Sequence, residues 1–128
     1  MPFVRMSLGQ RTSLEYRNAI ANGIHRAMVE ALAVPAGDRF QVITEHSVEG
    51  LIYDPDYLGI DRTDAVVFVQ ITLSTGRKPP QERHFYKRAA ELLAESPGIR
   101  PQDLLINLVE VGWENWSFGN GGAQYMDT

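Results

Sequence analysis

The chain has 128 residues, 44% of them hydrophobic, a formal net charge of −4 and no cysteine. That length suits one domain, 1–128, with enough apolar residues for a real core. The composition excludes disulfides, thiolate metal sites and a cysteine nucleophile, and the charge leaves no electrostatic footprint for nucleic acid. No apolar run reaches membrane-spanning length and no signal-peptide pattern opens the sequence, so a cytoplasmic protein is expected.

A proline follows the initiator methionine, and an apolar strand, Pro2–Leu8, begins on it at once. Small second residues let the cell remove Met1, which would leave Pro2 as a free secondary amine. An ordinary α-amino group titrates near 7.7–8.0. Burial and nearby cations disfavour the ammonium and lower that value. Such an amine can act as a general base or as a nucleophile toward a carbonyl. If Met1 is retained, the Pro2 nitrogen is an amide and has no basicity.

Gly9-Gln10-Arg11 reads as a turn. Thr12 and Glu15 have capping-box spacing, with Thr12 as the N-cap of a helix. Tyr16, Ile20, Ile24, Ala27 and Ala31 form its apolar stripe. Val34-Pro35-Ala36-Gly37-Asp38 ends it, and Arg39–His46 is a second strand. The irregular stretch Ser47–Asp64 reads as a long loop, the kind that is often functional. The pattern then repeats. Ala65–Leu73 is nearly continuously apolar, as a strand buried on both faces should be. Pro79 and Pro80 suit the first turn of a second helix, and Leu104–Val111 is the fourth strand. Phe3–Leu8 echoes Phe68–Leu73, and Phe40–Glu45 echoes Leu105–Glu110.

The expected fold is therefore an α+β two-layer sandwich. Two fused β-α-β units, about 2–46 and 65–111, give a four-stranded sheet with two helices on one face. The other face would stay bare unless other subunits cover it. Trp113–Tyr125, aromatic and glycine-rich, reads as a hairpin or strand reaching a neighbour.

Among chemistry-bearing residues, Arg77 sits in a glycine turn after the third strand, where a guanidinium can grip a carboxylate. Arg11 occupies the matching turn of the first unit. Asp38 follows a Pro-Ala-Gly turn. Trp116 and Phe118 could wall a pocket, from the same or a neighbouring subunit. His25, His46 and His84 show no metal-ligand spacing, with His46 at the strand end nearest the site. No cofactor is expected.

Pro2, Val34-Pro35-Ala36-Gly37-Asp38-Arg39-Phe40-Gln41, Ala65-Val66-Val67, Phe85-Tyr86-Lys87 and Trp116-Ser117-Phe118-Gly119 together resemble the tautomerase superfamily. The resemblance is to its malonate semialdehyde decarboxylase branch and tautomerase-like relatives. It implies a homotrimer with the bare sheet faces turned inward, and a Pro2 pocket near a subunit boundary. It also implies an assisting role for Asp38 and paired arginines that hold a substrate carboxylate. Arg77 supplies one of these, and Ser74 or Thr75 stands where the other is expected. Losing one cation hurts decarboxylation more than proton relay. The first expectation is thus keto-enol tautomerisation of a small 2-oxo acid, with Pro2, Asp38 and Arg77 catalytic and Arg11, Trp116 and Phe118 binding substrate. The alternatives are decarboxylation or hydration of a short 3-oxo acid, and a non-catalytic trimeric binding protein.

Overall fold

The computed structural model describes residues 1–127. Four strands, β1 (Pro2–Gly9), β2 (Gln41–His46), β3 (Val67–Ser74) and β4 (Leu104–Val111), form one sheet in the order β2-β1-β3-β4. Helices α1 (Leu14–Leu32) and α2 (Pro79–Glu95) cover one of its faces. β1 pairs parallel with β2, and β3 parallel with β4, as the crossover through each helix requires. β1 and β3 pair antiparallel in the centre, with Pro2 opposite Leu73 and Ser7 opposite Phe68.

That central pairing relates the two β-α-β units by a local twofold, and most of their element boundaries correspond. Residue 2 opens β1 and residue 67 opens β3; residue 14 opens α1 and residue 79 opens α2. The offset is 65 residues (67 less 2), and it extends past the strands. The short 3-10 turns Val48–Gly50 and Trp113–Asn115 are related by the same step. So are Ala33, the cap of α1 at φ 56°, and Gly98 at φ 102°, which lies two residues past the Ser96 cap of α2, and Arg11 and Gly76, at φ 69° and 127°.

Alternation along the strands builds the core. Val4, Met6 and Leu8 from β1 and Val67, Val69, Ile71 and Leu73 from β3 point to the helices and are buried. They meet Ile20, Ile24 and Met28 of α1 and Phe85, Ala89 and Leu93 of α2. Gly23 lets the helices approach closely: a Cβ there would lie 2.7 Å from Leu93 Cδ2.

Three expectations need correction. The cap of α1 is Ser13, whose Oγ accepts the Tyr16 N–H at 3.0 Å, not Thr12. The Thr12 hydroxyl is drawn away, donating to Glu45 Oε2 at 3.1 Å and so tying the turn to the end of β2. β3 is not buried on both faces within the chain; Phe68, Gln70 and Thr72 lie on the open side, where Gln70 donates to Asn107 at 3.1 Å. The tail is neither a hairpin nor a strand among the described residues: after the 3-10 turn it folds back on its own chain through turns. No helix among those residues is long and apolar enough to cross a membrane.

Candidate active site at the amino-terminal end of the first strand

The antiparallel register sets the site. Because Pro2 lies opposite Leu73, the start of β1 meets the turn that leaves β3, and Ser74 and Arg77 arrive beside the chain terminus. The terminal amine of Met1 feels both Arg77 and Asp38. Burial, and then the Arg77 guanidinium, push it below the ordinary amine range, while Asp38 opposes them. Pro2 itself is buried. Asp38 reaches the same end because the Pro35–Asp38 turn, closed by the Asp38 N–H on the Pro35 carbonyl at 3.0 Å, delivers it just ahead of β2.

Arg77 is braced rather than loose. Its Nε donates to the Leu32 carbonyl at 3.2 Å and its Nη1 to the Ser74 carbonyl at 3.0 Å. The first of these satisfies a carbonyl at the C-terminus of α1 that has no partner inside the helix. The Nη2 edge makes no hydrogen bond among the described residues, so it remains for an anion.

The tail supplies the wall. Trp116 Nε1 donates to Ser74 Oγ at 3.1 Å, fixing the indole against the end of β3. Phe118 stacks on Trp116 with ring centroids 5.4 Å apart, and Tyr125 meets Phe118 edge-on at 4.9 Å. Gln124 locks this loop by accepting from the Phe118 N–H and donating to the Gly119 carbonyl. A hollow of about 250 Å³ lies between Met1, Pro2, Phe3 and Phe40 on one side and Trp116 and Phe118 on the other. A second, of about 310 Å³, adjoins it at Met1, Ser74, Trp113 and Tyr125.

Pro2, Asp38, Arg77, Trp116 and Phe118 thus gather at one end of a single chain, with the two aromatics coming from the same subunit. Arg11 does not join them. It follows β1, at the opposite end of that strand from Pro2, and so does His46 at the end of β2. Sequence reasoning missed Ser74 as the anchor of Trp116, and missed Tyr125 and Phe40. A serine at the last position of a strand gives no signal until the register shows what it faces. Among the described residues no cluster of His, Cys, Asp and Glu could hold a metal ion.

Two family profiles, each described as a tautomerase enzyme, match residues 38–119 and 2–60. The chain is 35% identical to the probable tautomerase YusQ of Bacillus subtilis (strain 168), covering 99% of this chain and 100% of that one. Among solved structures it superposes on malonate semialdehyde decarboxylase with a TM-score of 0.91 and 31% identity, covering 98% of this chain and 96% of the other. A fused 4-OT symmetric trimer, at 15% identity, shares the fold with a TM-score of 0.78 over 98% of this chain and 99% of that one. With its doubled β-α-β sheet, the chain belongs to the tautomerase family.

Proposed function

We propose that the chain is a cofactor-independent tautomerase, a homotrimer, that interconverts keto and enol forms of a small 2-oxo acid with the amine of Pro2 as general base after Met1 removal. The observation that supports this reading is the chain terminus, the Met1 amine, which feels both a guanidinium and a carboxylate; removal of Met1 would bring the Pro2 amine to that same end. Burial and Arg77 both disfavour an ammonium at this end of the sheet, in the sense that a general base needs. In this reading Arg77 holds the substrate carboxylate through its free edge. The amine takes the proton on the carbon beside the carbonyl and returns it at the other end of the enol. Asp38 stabilises the ammonium formed in between. Trp116 and Phe118 exclude water, which keeps the amine neutral and strengthens every charge interaction inside.

The test is ketonisation of an arylenolpyruvate, followed by ultraviolet absorbance, for wild type beside Pro2→Ala. Turnover should fall by about 10²–10⁴ in the variant, the range expected for loss of a positioned base. Full activity in Pro2→Ala would sink the reading. Intact mass should show Met1 absent; its retention would favour the trimeric binding protein instead.

Decarboxylation or hydration of a short 3-oxo acid is the second reading. It is favoured by the likeness to malonate semialdehyde decarboxylase, whose structure is discussed in terms of decarboxylase and hydratase activities. Carbon dioxide release from malonate semialdehyde would put it first. Ser74 or Thr75, standing where the resemblance implies a second arginine, argues against it.

A further inference from the structure

A further cleft lies away from Pro2. It measures about 540 Å³, within the roughly 300–1,000 Å³ of small-molecule sites, and it opens at the other end of the central strands. Its lining is the twofold image of the Pro2 site. Gly9 stands for Ser74, Leu51 for Trp116 and Tyr53 for Phe118, each at the constant offset of 65 residues set by the strand starts, 67 less 2. Val48 opens one 3-10 turn as Trp113 opens the other. The image differs at its reactive centre. Where the first unit begins with a chain terminus, the second continues through an unbroken peptide into β3. Asp103, the mate of Asp38, is tied to that peptide, accepting from the Thr63 N–H and hydroxyl, each at 2.7 Å.

What the second cleft holds instead is polar and unspent. Arg11 lines it and makes no hydrogen bond or ion pair among the described residues. His46, the mate of Val111, has its Nε2 buried without a partner. Arg11 also holds a left-handed backbone, φ 69°, where its mate is glycine. Non-glycine residues kept in that region against a steric cost gather at ligand sites. Opposite them, Tyr53 donates to Asp64 Oδ1 at 2.6 Å, leaving a second carboxylate oxygen that would repel a dianion. Val48, Leu51 and Ile52 form an apolar wall.

We propose that this cleft is a second, non-prolyl binding site for a small apolar monocarboxylate, with Arg11 as its anchor, the His46 ring in its wall and Val48, Leu51 and Ile52 against the body of the ligand. It contains no amine and performs no proton transfer of the kind assigned to Pro2, and it stands whether or not that assignment does.

Benzoate is the probe, titrated into the full chain and followed by NMR at the His46 imidazole and the Trp116 indole, which report the two ends separately. The variant is Arg11→Gly, which removes the cation and places glycine where the other unit already has it, so it should melt no lower than wild type. Benzoate should shift the His46 signals in wild type and bind that end at least about tenfold more weakly in Arg11→Gly, with the Trp116 response unchanged. A His46 signal that never moves up to tens of millimolar benzoate, a response confined to Trp116, or equal affinity in Arg11→Gly would each overturn the proposal.

Discussion

Asp38 and Asp103 occupy twofold-related positions, yet the structure predicts opposite consequences for the same substitution. Asp103 is 1% exposed. Its oxygens accept from the Thr63 N–H and hydroxyl, both at 2.7 Å, and lie 3.5 Å from the Arg100 guanidinium. Hydrogen bonds to a charged group contribute about 1.5–3 kcal/mol each. Thr63 is exposed, so water recovers part of that in Asp103→Ala, and the Arg100 pair, with its cation 41% exposed, adds only about a few tenths. The expected loss is about 3 kcal/mol, which for a chain of this length lowers Tm by about 10 °C. Asp103→Asn keeps an acceptor and should lose about half as much. Asp38, by contrast, is half-buried and its side chain makes no hydrogen bond or ion pair among the described residues. Asp38→Ala should stay within about 0.5 kcal/mol of wild type while slowing enol ketonisation. The assay is thermal unfolding by circular dichroism at one fixed protein concentration, with turnover measured on the same samples. A Tm within a degree of wild type for Asp103→Ala, or a collapse for Asp38→Ala, would refute the division of labour.

The terminal amine gives a pH prediction with a definite sign. Arg77 lowers the pKa of the Met1 amine and Asp38 raises it, and the same charges should act in the same sense on the Pro2 amine once Met1 is removed. Arg77→Gln should therefore move the acid limb of kcat/KM to higher pH, and Asp38→Asn should move it to lower pH. Arg77→Gln should also cost about 10²-fold in turnover through loss of the anion contact. Ser74→Ala removes the acceptor for Trp116 Nε1 and should cost about 1 kcal/mol, with KM rising more than kcat falls; unchanged kinetics would mean that stacking alone holds the indole. Ser13→Ala should destabilise by about 1 kcal/mol as the loss of an N-cap. Thr12→Ala should instead loosen the turn from Glu45 without fraying α1, a distinction that amide exchange at Tyr16 can read.

The duplicated architecture was legible because it rests on local signals. Alternation in Val4, Met6 and Leu8, the 3.6-residue stripe of α1 and the paired prolines opening α2 each state their own element. The strand echoes imply a common origin for the units, and the bounds of β4 follow from Pro101 and Gly112 on its flanks. What was not legible depends on partners distant in sequence. Thr12 and Ser13 are equally good caps until Glu45 claims one of them. The tail's aromatics look like a reaching arm until Ser74, forty-two residues away, is found under Trp116. That Pro2, Asp38 and Arg77 lie close to one another follows from their turns and the strand directions. The separation of Arg11 from them follows only from strand direction: a residue that leaves β1 and a residue that enters it cannot share an end of a short sheet.

The correspondence between the units bears on chain connectivity. The two halves are joined in the sheet by the β1–β3 ladder, and covalently by the segment between β2 and β3. A two-piece version, interrupted just ahead of Val67, would keep that ladder. It would also give β3 a free amine where β1 has one, facing the cleft of Arg11 and His46. Whether an end of this sheet holds a base or only a wall is then decided less by side chains than by where a polypeptide starts.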